Sequence, residues 1–155
     1  MTCVDWCSAA AYCAWSGARL CGRIDGVAQA TDYQTIRDPA KDEWTRACTG
    51  GLDAERWCFG PDADPTACNS LALDAGALSL AGELPACVGG IAGLHDMSGN
   101  AWEWVNGCQD GTMNDTSQDP CALRGGGYRN ELDEIKCSTI TFNQRGAASR
   151  DVGFR

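Results

Sequence analysis

Gly93-Leu94-His95-Asp96-Met97-Ser98-Gly99-Asn100-Ala101-Trp102-Glu103-Trp104-Val105 is the stretch on which the reading of this chain turns. Trp102 and Trp104 alternate with Ala101 and Glu103, and alternation is a strand signal, because successive side chains point to opposite faces. The two tryptophans are expected to face a core, with Ala101 and Glu103 facing away. Asp96 and two glycine-containing turns stand just before the strand. One short segment therefore carries a core anchor and a set of oxygen donors.

Around this segment, 155 residues suffice for one domain spanning residues 1–155. A chain of this size buries roughly 70% of its unfolded surface, so it can hold a real core. The net charge of −9 repels phosphates and argues against a nucleic-acid partner. It suits a soluble protein that holds cations. No apolar run is long enough to span a membrane. Eleven cysteines point to disulfides and an oxidising compartment, hence a secreted, periplasmic or cell-surface location. There is no C-x-x-C pair of the kind zinc modules use. The opening M-T-C-V-D-W has neither the basic start nor the apolar stretch of a signal peptide, so a mature form or a fragment is expected.

Thr2 to Ser16 reads as a helix, with Thr2 as cap, Asp5 three residues later as in a capping box, and Gly17 as stop. Residues 18–37 lack a period and read as loop. Asp38-Pro39 predicts a second helix, cap followed by first-turn proline, running to about Cys48 and stopping at Gly50-Gly51. Residues 50–92 read as a long irregular stretch, which is unusual unless functional or stapled. Short strands are expected around Trp102–Val105, Ala122–Arg124, Lys136–Phe142 and Val152–Arg155. Gly125-Gly126-Gly127 reads as a turn, since no phosphate-loop lysine or helix start follows it. Two helices ahead of a loop-heavy, short-stranded half predict an α+β fold.

These pieces resemble a known family. V-D-W-C-S-A-A-A-Y-C-A-W (Val4 to Trp15), G-A-R-L (Gly17 to Leu20), D-E-W-T-R-A-C (Asp42 to Cys48), C-F-G (Cys58 to Gly60), the central G-L-H-D-M-S-G-N-A-W-E-W-V, L-R-G-G-G-Y (Leu123 to Tyr128) and V-G-F-R (Val152 to Arg155) stand in the order of the sulfatase-modifying-factor, or formylglycine-generating-enzyme, family. The central motif is the specific one. The resemblance implies a variant of the C-type-lectin fold that is low in regular structure. It also implies a calcium site made of the Asp96 side chain, the Gly99 and Ala101 carbonyls and the Glu103 carboxylate, which are hard oxygens of the kind calcium takes. Read alone, Asp96 could make an Asx turn and Glu103 could be a solvated charge; the resemblance favours calcium. A second calcium site would fall at Asn69 and the Ser70 carbonyl, where the surrounding sequence departs from the family pattern.

A larger departure follows Tyr128. The family's oxidases convert a substrate cysteine to formylglycine with two copper-binding cysteines placed between the R-G-G motif and the next R/K-C. Here that interval is Arg129 to Lys136 and contains no cysteine. Copper(I) needs soft thiolates, so no copper is expected and the oxidase activity should be absent. The family's first strand-rich segment has no counterpart before Thr2, which would account for the odd cysteine. An insertion, roughly Cys21 to Arg37, precedes the second helix. Proximity and family habit suggest the bridges Cys48–Cys58, Cys68–Cys87 and Cys108–Cys121, although connectivity is not fixed by sequence. A metal cluster of Cys3, Cys7, Cys13 and Cys21 ranks below bridges. His95, the sole histidine, has no nearby nucleophile and gets no role. Arg124 and Arg155 read as structural, and Ser138 and Ser149 as ordinary hydroxyls.

The reading is then a non-catalytic, calcium-stabilised binding or scaffold module for a protein, peptide or small-molecule ligand. Its binding face would be the polar region that holds the active cleft in the enzymes: Arg129, Asn130, Glu131, Asp133, Asn143 and Arg145. Two alternatives stay open. One is a formylglycine-generating-type oxidoreductase or related enzyme with an altered site; the iron-dependent sulfoxide synthases among the relatives need several histidines, and one is not enough. The other is a ligand-binding variable protein of a diversity-generating retroelement, a group that shares this fold and ends in a similar R-G-G…G-F-R segment.

Overall fold

The computed structural model describes residues 1–27, 32–109 and 118–155. Its centre is a four-stranded sheet of β1 (Trp102–Cys108), β2 (Pro120–Arg124), β3 (Ile140–Gln144) and β4 (Val152–Phe154), in the order β3-β2-β1-β4. The β1–β2 and β2–β3 pairs are antiparallel; β4 runs parallel to β1, pairing Val152 with Trp102 and Phe154 with Trp104. The signature strand thus occupies the interior of the sheet and extends to Cys108, beyond the expected end at Val105.

Both faces of this sheet are covered. On one, Trp104 and Leu123 pack with Val152 and with Trp6 and Ala9 of helix α1 (Trp6–Trp15). On the other, Val105 and Ala122 pack with Ile36, with Trp44 of helix α3 (Glu43–Thr49), and with Met97 and Ile135. The two tryptophans do share a face: Trp104 is wholly buried, Trp102 partly. Glu103 points the other way, as alternation requires, yet it is buried, because the opposite face carries a second core instead of solvent.

The helices start later than expected. The α1 cap is Asp5, which accepts from the Ser8 N–H at 2.6 Å, and not Thr2. The first residues are held against β4 instead: the Cys3 N–H reaches the Ser149 and Val152 carbonyls, with Cys3 in the left-handed region. Asp38-Pro39 begins only a turn, in which the Asp38 carbonyl accepts from Lys41 and Asp42. Asp42 then becomes extended to bridge with Arg23, and its carboxylate caps α3 through the Thr45 N–H at 2.8 Å. α3 stops at Gly50 in the left-handed conformation, as the sequence predicts. Within the expected 18–37 loop lies one helical turn, α2 (Tyr33–Ile36). Residues 50–92 hold a single 3₁₀ turn, Leu71–Leu73. The β3 strand begins at Ile140, not Lys136, because a 3₁₀ turn at Leu132–Ile135 runs into a further turn at Thr139.

Three disulfides staple these layers. Cys68–Cys87 and Cys108–Cys121 agree with the expected pairs. Cys48–Cys58 does not form: Cys48 pairs with Cys137 across 89 residues. Nearness in sequence misleads here, because α3 packs its inner face, and Cys48 with it, directly against the segment leading into β3. Cys3, Cys7, Cys13 and Cys21 do not gather into a metal cluster; the one group of three or more metal-competent side chains among the described residues is Cys58, Cys68 and Cys87.

Candidate functional site

The turn before β1 is held in an unusual backbone path. Asp96 and Asn100 both have positive φ, +59° and +63°, with Gly99 at +76° between them. Short polar residues tolerate this region better than others. At Gly99 no side chain would fit, since a Cβ would come within 2.3 Å of the Asn69 carbonyl oxygen. Asn100 locks the turn to the irregular stretch. Its N–H donates to the Asn69 carbonyl at 2.7 Å, and its side-chain oxygen accepts from the Ser79 N–H and from Asn69 Nδ2.

Asp96 Oδ2 accepts from the Gly82 N–H at 2.8 Å. Glu103 accepts from the Trp44 indole at 2.7 Å and pairs with Arg155, whose Nη2 lies 2.7 Å from Oε1. Arg155 also donates to the carbonyl of His95, a residue whose backbone bridges with Val88. Burial works against the Arg155 charge, but Glu103 outweighs it and holds the guanidinium pKa up. Asp96, Asn100, Ala101, Glu103 and Arg155 line one cleft of about 220 Å³. Three of the four residues expected to hold calcium therefore border one cleft. Gly99 is not among the lining residues; its N–H is bonded to the Gly125 carbonyl. Asn100 and Trp44 are the members that the sequence reading missed. Asn100 stood inside the motif, while Trp44 carried no local sign of its partner 59 positions away.

The donor set has the hard-oxygen chemistry calcium requires. Glu103, however, would share its carboxylate between a cation and Arg155. At the second expected position, Asn69 Oδ1 is a buried acceptor without a hydrogen-bond partner among the described residues, as is Ser70 Oγ. An unsatisfied buried oxygen is costly unless something meets it.

The expected binding face is only partly assembled. Asn130 and Asp133 line a polar cleft of about 580 Å³ with Arg37, Glu55, Trp102 and Thr141. Arg37 and Glu55 come from other segments and were not foreseen. Arg129 is exposed and lies over the Tyr128 ring at 5.1 Å. Glu131 caps the 3₁₀ turn in a reciprocal box with Glu134. Asn143 is exposed on β3. Arg145 is buried, stacked over Trp6 at 5.0 Å and 3.6 Å from Asp119, so it belongs to the core and not to a surface. The interval that would carry catalytic thiols is filled by this turn: Ile135 is wholly buried, the Leu132 carbonyl accepts from Trp57, and Lys136 pairs with Asp133 at 3.0 Å.

A small mixed sheet, few helices, long stapled loops and a left-handed turn leading into the central strand define a C-type-lectin-like fold of the formylglycine-generating type. The whole chain, residues 1–155, matches the sulfatase-modifying factor enzyme 1-like domain, and it belongs to that family. It is 28% identical to the serine/threonine-protein kinase Pkn1 of Chlamydia trachomatis, over 98% of this chain and 23% of that protein. It is 27% identical to the inactive C-alpha-formylglycine-generating enzyme 2 of Mus musculus, over 98% of this chain and 46% of that protein. The chain thus spans less than half the length of these relatives. Among solved structures, Treponema denticola variable protein 1 superposes with a TM-score of 0.67 at 16% identity, covering 99% of this chain and 69% of that one. No helix among the described residues is long and apolar enough to cross a membrane.

Proposed function

We propose that this chain is a non-catalytic member of its family, a calcium-stabilised binding or scaffold domain working in an oxidising, extracytosolic setting. One observation carries the reading: the interval from Arg129 to Lys136 offers no thiol, and from Glu131 on it folds into a capped turn with Lys136 over Trp57. Copper(I) oxidation of a cysteine has no ligand pair to work from there. The matching relative named as an inactive formylglycine-generating enzyme accords with this reading, as does the match to part of a protein named as a kinase, where such a domain would be an accessory module.

The ligand would enter the polar cleft lined by Arg37, Glu55, Asn130 and Asp133. Charges of both signs with hydroxyl and amide groups suit a polar peptide, protein loop or small molecule held by hydrogen bonds. Calcium would be held by Asp96 and Glu103 with the Ala101 carbonyl, the cleft-lining part of the expected ligand set, tying the turn to β1. When bound it supplies fixed positive charge and cross-linking, not redox chemistry. Three disulfides support the oxidising location. The rival, an oxidoreductase with an altered site, is tested directly: incubate the protein with copper(I) and a cysteine-containing sulfatase-motif peptide and follow the peptide mass. An unchanged mass is expected; conversion to formylglycine overturns the reading.

A variable protein of a diversity-generating retroelement is the second reading, supported by the shared fold with Treponema denticola variable protein 1. It requires a near-identical template repeat with adenine-directed differences in the encoding DNA, and absence of the repeat removes it.

A further inference from the structure

Three buried sulfurs sit together under the Asp96–Asn100 turn. Cys68 and Cys87 form a disulfide, and Cys58, which lies outside the three bridges, places its Sγ 3.7 Å from Cys68 Sγ and 3.9 Å from Cys87 Sγ. All three residues are buried. A thiol this near to both ends of a disulfide, and nearly equidistant from them, can reach either sulfur with a small side-chain rotation.

Each cysteine also holds a different part of the same turn. The Cys58 N–H donates to Ser98 Oγ at 3.0 Å. The Cys87 carbonyl accepts from the Asp96 N–H at 3.0 Å. Cys68 precedes Asn69, whose carbonyl takes the Asn100 N–H. An acceptor already waits for one sulfur: Cys87 Sγ lies 3.4 Å from the Ser98 carbonyl oxygen, a partner that only a thiol S–H can use.

We propose that Cys58, Cys68 and Cys87 form a thiol–disulfide exchange site in which one bridge moves among three sulfurs, the principal alternative to Cys68–Cys87 being Cys58–Cys68. In this step the Cys58 thiolate forms a bond to Cys68 Sγ as the Cys68–Cys87 bond breaks. The electron pair leaves on Cys87, which takes up the proton that Cys58 gave up. No oxidant or reductant is consumed, because one thiol and one disulfide stand on each side. The released Cys87 thiol donates to the Ser98 carbonyl. The two isomers differ in which segment is tethered beneath the turn: the loop from Cys68 to Cys87 is closed in one and opened in the other.

Burial pushes the Cys58 thiol up, with Asp96 adding to it while hydrogen bonding from Ser98 opposes it. The thiolate that attacks is therefore scarce at neutral pH, and the test uses mildly alkaline buffer. The intact protein is incubated there, quenched with acid, unfolded, alkylated with N-ethylmaleimide and digested, and its bridges are mapped by mass spectrometry. The expected result is a Cys58–Cys68 bridge with alkylated Cys87, growing with incubation to a constant share beside Cys68–Cys87. Finding that, of these three cysteines, Cys58 is the only one alkylated at every time overturns the proposal. A second measurement uses Cys87→Ser, oxidised in air and titrated for thiols in denaturant. Exchange competence leads Cys58 and Cys68 to pair, so the thiol count falls by one relative to the parent protein. A count that rises by one, leaving Cys58 and Cys68 both reduced, overturns it.

Discussion

The carboxylate of Glu103, near the start of strand β1, is held by the guanidinium of Arg155 at 2.7 Å across 52 positions of sequence. The same carboxylate accepts from the Trp44 indole, so three segments meet on one side chain. Both charged groups are largely withdrawn from solvent, which makes the unpaired state expensive. Glu103→Ala should cost about 3 kcal/mol of unfolding free energy, because it strands a half-buried guanidinium and a buried indole N–H. Urea denaturation of Glu103→Ala, Arg155→Ala and the double variant measures this. A coupling energy below about 0.5 kcal/mol would show the pair to be incidental.

Calcium removal gives a second expectation. A cation that binds only the folded state adds about 2.7 kcal/mol at a hundredfold excess over its Kd. For a chain of this length that corresponds to roughly 5–10 °C in Tm. Chelator should lower the melt by that order, and Asp96→Ala should melt equally with and without chelator. A melt of the parent protein that ignores both calcium and chelator would remove the site.

Arg124 is a stability determinant of another kind. It is wholly buried and donates to the Ile36 and Cys137 carbonyls, each at 2.6 Å, and to Thr45 Oγ1, while stacking on Trp44 at 4.6 Å. Burial drives its pKa down to about 10, with Asp42 working against that shift. Arg124→Met fills similar volume but takes the donor from the Cys137 carbonyl and leaves the Ile36 carbonyl with the Thr45 hydroxyl alone. A loss of about 3–5 kcal/mol is expected in chemical denaturation. Arg124→Lys should recover only a part, since an ammonium cannot reproduce the planar fork.

Alkylation should separate the cysteines by environment. Burial, reinforced by Glu43 and Glu103, pushes the Cys21 thiol up to about 12. At neutral pH its thiolate is on the order of a thousandfold scarcer than for an ordinary thiol. Iodoacetamide should therefore mark exposed Cys3 well before Cys21, with the Cys21 rate climbing about tenfold per pH unit toward its pKa. The stability sign follows from the same shift. The folded state keeps this proton longer than the unfolded one, so stability falls as pH rises from about 9 to about 12. Cys21→Ser should flatten that decline in alkaline melts. Equal labelling of Cys3 and Cys21 at neutral pH would contradict the assignment.

The alternation Trp102-Glu103-Trp104 was enough to predict a strand with its aromatic face inward. It could not show that Glu103 is buried as well, because alternation gives the direction of a side chain and not what lies beyond it. Asp38 was the expected cap of the second helix, but the cap is Asp42, which also bridges to Arg23. The Cys68–Cys87 and Cys108–Cys121 bridges span 19 and 13 residues, so their expected pairing matched the fold. Cys48–Cys137 spans 89 and had no local signature.

By itself the sequence determined what is local or carried by motif: the strand at 102, the glycine stop of α3, the irregular 50–92 stretch, the family, and the lack of thiols between Tyr128 and Cys137. Tertiary structure alone decided which distant groups meet. Glu103 received Arg155 and Trp44, Arg145 went to the core beside Trp6, and Cys58 came to rest against a finished disulfide. Local conformation follows from backbone sterics and side-chain periodicity within a few residues. The pairing of buried charges and sulfurs depends instead on how helices and loops close over the two faces of one sheet, and no short window of sequence contains that information.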